Sequence, residues 1–85
     1  MVTNEQIKSL IETGIPHARA TVTSDGRHFE VVIISEEFNN QDTLTRHRLV
    51  FSTLGDRMES EIHAMSLHTF TQEEYNKKIN DLDRR

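Results

Sequence analysis

The feature that most constrains this chain is the segment Phe29-Glu30-Val31-Val32-Ile33-Ile34, which contains its longest uninterrupted apolar run and follows the turn-forming tetrapeptide Ser24-Asp25-Gly26-Arg27. A short run rich in β-branched residues, entered through a turn, reads as a β-strand. Its continuous apolar character predicts a strand covered on both faces and central in its sheet. Before the turn, Ala18, Ala20 and Val22 alternate with Arg19, Thr21 and Thr23, the pattern of a strand with one dry face. The short link predicts that the two strands pair as an antiparallel hairpin.

Helical spacing frames this hairpin. Thr3 or Asn4 can cap a helix carrying Ile7, Leu10 and Ile11, with Glu5 in its first turn, and Gly14, Ile15 and Pro16 end it, Gly14 being read as a C-terminal cap. Ser35 to Asp42 reads as a polar connecting loop, with Asn39-Asn40 as a turn and Phe38 as an anchor into the core. Asp42 or Thr43 caps the next helix, whose predicted buried stripe is Leu44, His47, Phe51, Leu54 and Met58, with Val50 alongside. Gly55 divides that helical region in two. Residues Ile62 to Phe70 read as a third strand, and Thr71-Gln72-Glu73-Glu74 is a capping box that opens a last helix through Tyr75, Ile79 and Leu82. The expected organisation is a single domain over residues 1–85, with residues 83–85 frayed.

Composition narrows the chemistry. In 85 residues there are ten Lys and Arg against fourteen Asp and Glu, a formal charge of −4, which opposes diffuse attraction to nucleic acid or anionic lipid. No cysteine is present, so the chain has no disulfide, no thiolate nucleophile and no thiolate metal site of its own. No apolar run approaches the ~20 residues of a membrane span and the N-terminus carries no basic-then-apolar signal, which predicts a soluble cytoplasmic protein. A Gly-rich phosphate loop and a nucleophile motif are both missing, and the adjacent pairs Glu36-Glu37 and Glu73-Glu74 read as solvated surface, so no catalytic residue is assigned.

Five histidines are the unusual count. The long helical link between the second and third strands predicts that they run parallel if they are neighbours. His28 opens the second strand and His63 nearly opens the third, so parallel pairing brings both imidazoles to one end of the sheet, where neighbouring strands lie about 4.8 Å apart. Two nitrogen ligands can then address one metal, provided their faces agree. His47 falls on the apolar stripe and reads as a structural histidine bonded to a backbone carbonyl, while His17 and His68 read as surface residues, His68 near a partner interface.

Gly26-Arg27-His28-Phe29-Glu30-Val31, Ser35-Glu36-Glu37-Phe38, Leu44-Thr45-Arg46-His47-Arg48-Leu49-Val50 and Ile62-His63-Ala64-Met65-Ser66-Leu67, followed by Thr69-Phe70-Thr71, together resemble the BolA family over nearly the whole chain, and within it the short-loop branch of the YrbA or IbaG type. The resemblance implies an α+β sandwich of order αββααβα, similar to the class II KH arrangement, with a mixed three-stranded sheet. It implies no enzyme but an adaptor, a monomer alone, that forms a heterodimer with a monothiol glutaredoxin and shares with it and glutathione a [2Fe-2S] cluster, in iron–sulfur trafficking or iron sensing. His63 matches the family's third-strand ligand. The other family ligand lies in the loop between the first two strands, and since the longer loop that carries it elsewhere is missing, His28 is the remaining candidate. Imidazole in place of thiolate leaves less negative charge on a cluster and raises its potential.

Two further readings stay open. Arg46 and Arg48 can contact glutathione carboxylate, phosphate or an acidic partner, or lie on a solvated helix face. With them the KH-like fold offers a transcriptional regulator that binds DNA or RNA through the Arg46 to Arg48 helix, although three arginines against two aspartates between Gln41 and Arg57 make a weak patch and the aromatic residues are needed by the core. The other is an apo interaction module, in which glutaredoxin binds without iron.

Overall fold

The computed structural model describes residues 2–83, and of residues 57–59, 82 and 83 the backbone alone. Its elements run α1 (Asn4–Gly14), β1 (Arg19–Ser24), β2 (Phe29–Ile34), α2 (Thr43–Leu54), α3 (Glu59–Ile62), β3 (Met65–Phe70) and α4 (Gln72–Asp83), with 3-10 turns at Glu36–Phe38 and Gly55–Met58. The three strands form one sheet in the order β1-β2-β3, with β1 antiparallel and β3 parallel to β2. The expected α+β fold with a mixed three-stranded sheet and a central second strand is therefore observed. The frayed end expected at 83–85 falls at Arg84 and Arg85 outside the described residues.

One face of the sheet makes the core. Ala20, Val31 and Ile33 meet Ile7, Ile11 and Ile15 from α1 and its exit, and Val50 and Leu54 from α2, all of them buried. Phe38 is fully buried among them, held by the 3-10 turn that the sequence suggested only as an irregular loop. Buried Ser35 starts this turn: its hydroxyl donates to the Pro16 carbonyl (2.9 Å) and accepts from the Glu37 amide (3.1 Å).

Several expectations change at this level. The second strand is apolar on the core side only: Glu30 is exposed and Val32 and Ile34 half-buried on the opposite, largely open face. An apolar run here reflects β-propensity as well as burial. The α2 stripe is rotated, because Arg46, Val50 and Leu54, spaced by four, point inward, while Leu44 in the first turn is 59% exposed. The side chain of Met58 lies outside the described residues. Gly14 does not cap α1 with a left-handed residue; Ile15, in extended conformation, takes the cap position. Gly14 is there because α1 and α2 touch, a Cβ at that position falling 2.6 Å from Thr53 Cγ2.

The third strand starts at Met65 rather than Ile62. Ile62 closes α3, and His63 and Ala64 form a turn whose Ala64 amide donates to the Glu61 carbonyl (2.9 Å). The reason lies across the ladder: Phe29 pairs with Met65, so residues 62–64 stand opposite the hairpin turn, where β2 has not yet begun and no ladder can form.

Candidate metal and partner site

The parallel register locates the histidines. The Phe29 amide donates to the Ala64 carbonyl at 2.8 Å, so the backbone just after His28 is bonded to the backbone just after His63. Both residues are exposed at this end of the sheet. They reach one end of the sheet, as expected, but are not direct cross-strand partners: His63 sits in the turn, one position further back than His28 in the register. At this end an open groove of about 640 Å³ also runs between Thr3 and Asn4, Ser24 and Gly26 of the hairpin, Phe29 and Glu61, and neither histidine lines it.

His28 is held at three points. Asp25 Oδ1 accepts from the amides of Arg27 (3.0 Å) and His28 (2.8 Å), an Asx-type turn that fixes the backbone where Gly26 adopts φ 95°. The His28 ring points along the open sheet face, its Nε2 lying 2.9 Å from Glu30 Oε2 and 2.7 Å from Ser66 Oγ. Glu30 Oε1 lies 3.2 Å from Nε2 of His68 on the neighbouring strand. The His68 hydrogen bond, then those of Ser66 and His28, hold the Glu30 carboxyl below the ordinary glutamate range against the opposing effect of partial desolvation.

Glu30 and Ser66 were missed in the sequence, although the signal was present. Residues two apart share a strand face, so His28 with Glu30 and Ser66 with His68 each form a same-face pair, and register brings the pairs together. The His63 imidazole, by contrast, makes no hydrogen bond to another described group. No set of three His, Asp or Glu side chains among the described residues converges as a metal site.

Arg46, expected as a partner or anion contact, is engaged within the fold. Its guanidinium forks onto Glu74, Nη1 to Oε1 at 2.7 Å and Nη2 to Oε2 at 3.0 Å. Its Nε donates to the Gln41 carbonyl, Nη1 reaches the Thr69 carbonyl, and the group lies 5.7 Å from the centre of the Phe38 ring. Arg46 thus pins α4 to α2 and β3, and Arg48 is the exposed cation left on that helix. Glu74, read as solvated, also completes the predicted capping box: Thr71 Oγ1 accepts from its amide (3.2 Å) and its Oε1 accepts from the Thr71 amide (2.9 Å). Glu36, likewise expected to be solvated, accepts from the Gln72 amide. His47 is half-buried and forms none of the carbonyl bonds expected of it within the described residues, while His17 is exposed with a positive φ of 58°.

The chain is a small α+β domain with a half-open mixed sheet and two exposed imidazoles at one end. The family model of the BolA-like protein matches residues 6–74. The chain belongs to the BolA family. It is similar to a solved bolA protein homologue from Coxiella burnetii, 49% identical, with a TM-score of 0.77 and coverage of 89% of this chain and 99% of that one. It is also similar to yeast Fra2, 33% identical, TM-score 0.65, covering 89% and 86% of the two chains. The "DNA-binding transcriptional regulator BolA" of Escherichia coli is 42% identical over 48 residues, 56% of this chain and 46% of that protein, so the chain spans about half the length of this curated relative. Of these relatives, one is named a bolA homologue and one a DNA-binding regulator, and none bears the name of an enzyme. No described helix is long and apolar enough to cross a membrane.

Proposed function

We propose that this protein is a non-enzymatic adaptor that binds a monothiol glutaredoxin and co-ligates a [2Fe-2S] cluster through His63 and His28. The observation that carries the reading is the parallel β2–β3 register, which brings two exposed imidazoles to one end of the sheet. Neutral imidazole is a competent iron ligand, and the absence of any cysteine in the chain requires the thiolates to come from the glutaredoxin and glutathione. His63 suits this role because its ring makes no hydrogen bond to another described group. His28 suits it because Nε2 alone is engaged, which leaves Nδ1 for a ligand. Once loaded, such a mixed imidazole–thiolate cluster supplies a transferable iron–sulfur unit or an iron-dependent signal.

The test is visible absorption and circular dichroism of the protein mixed with a monothiol glutaredoxin, glutathione, ferrous iron and sulfide. A spectrum distinct from that of the glutaredoxin homodimer, lost in His63→Ala, is the expected result. A glutaredoxin spectrum unchanged by the wild-type protein refutes cluster sharing.

A second reading, direct nucleic-acid binding, is favoured by the name of the Escherichia coli relative. Commitment of Arg46 to Glu74 leaves Arg48 as its main cation on α2, in a chain of net charge −4. A salt-dependent fluorescence-anisotropy titration of duplex DNA, repeated with Arg48→Glu, decides it. Affinity that falls with salt and with the substitution supports this reading, and no binding at low salt ends it.

A further inference from the structure

We infer that Glu30 is the positioning residue of His28, holding the proton on Nε2 so that His28 meets a metal through Nδ1; this rests on the reading of His28 as a ligand. An ionised carboxylate only accepts, so the 2.9 Å contact of Glu30 Oε2 with His28 Nε2 requires the hydrogen to reside on that nitrogen. The Ser66 hydroxyl oxygen, 2.7 Å from the same nitrogen, can accept a share of this hydrogen. The lone pair of the neutral ring is then on Nδ1, across the imidazole from the carboxylate.

The arrangement is held from both ends. The Asp25 turn fixes the backbone of His28, and Glu30 cannot swing aside without releasing its other oxygen from His68. A metal-ligating histidine with its second nitrogen bonded to a carboxylate is a more basic and better oriented ligand. One Nε2 shared between Glu30 and Ser66 also excludes a serine-hydrolase relay, which needs the serine and the carboxylate on different ring nitrogens. The same cluster is therefore not a serine-hydrolase relay, and its geometry suits ligand positioning.

Two measurements test this. Long-range proton–nitrogen NMR of the isolated protein at about pH 8, where histidine is neutral, reports the His28 tautomer independently of any partner. The Nε2–H form is expected in the wild type and in Glu30→Gln, whose amide oxygen still accepts, and is lost in Glu30→Val, which suits a strand but accepts nothing. An Nδ1–H ring in the wild type overturns the inference. In the glutaredoxin complex, Glu30→Val is expected to release iron to a chelator about 10-fold faster, the lower end of the effect of losing an outer-shell partner, with Glu30→Gln restoring most of the retention. Wild-type release from Glu30→Val, in a complex whose cluster His28→Ala abolishes, overturns the positioning role. A cluster unaffected by His28→Ala removes His28 as a ligand and this inference with it, whereas failure of the wild type to form any shared cluster defeats the proposed function and leaves the tautomer result standing on its own.

Discussion

The Arg46–Glu74 fork can be tested by replacing Glu74 with Gln, a change that keeps the shape and the acceptor for the Thr71 amide but removes the charge. The Arg46 hydrogen bonds, reinforced by the Thr71 amide, bring the Glu74 carboxyl from 4.5 down to about 2. At roughly 1.4 kcal/mol per pH unit this displacement sets an upper limit of about 3 kcal/mol on the stabilisation. Arg46 is only 12% exposed but Glu74 is 46% exposed, so water screens the pair and about 1 kcal/mol is the expected share. Because the folded pKa lies below the unfolded one, this stability is fully present above about 4.5 and is lost as pH falls towards about 2. Thermal melts of wild type and Glu74→Gln should differ by about 4–8 °C near neutrality and converge as the acid limb is descended. A gap that persists unchanged through that limb would show that the ionised carboxylate is not its source, and the electrostatic argument would fail.

Other substitutions probe the packing. Gly14→Ala places a methyl 2.6 Å from Thr53 Cγ2, so it should destabilise by about 1–3 kcal/mol in urea unfolding despite the better helix former, and less in a Thr53→Gly background. Phe38→Ala empties the fully buried end of the core at a cost of about 3–5 kcal/mol, enough that far-ultraviolet circular dichroism should show a substantially unfolded population at 37 °C.

Much of the scaffold was legible because it rests on local rules. The alternation of Ala18 to Thr23, the β-branched run from Val31, the capping groups Thr3, Asp42 and Thr71, and the lone apolar Phe38 each announce their structure within a few residues. The expected parallel pairing of β2 and β3 also followed, since a long helical link makes an antiparallel hairpin unnecessary. Local rules fell short where neighbours distant in sequence decide the outcome. The start of β3 depends on where β2 begins, the role of Gly14 depends on Thr53, and the fate of Arg46 depends on a glutamate 28 residues away.

The candidate site divides in the same way. His28 and His63 stood out by residue type and by their places at the beginnings of strands, whereas Glu30 and Ser66 became part of the site only through register. By itself the sequence determined the element order, the central strand, the lack of any thiolate and the two histidines worth following, because periodicity, capping and composition act over short distances. Only the tertiary structure decided which nitrogen of His28 is occupied and which arginine is free. Those outcomes depend on ångström-scale contacts between side chains that the fold brings together from separate segments.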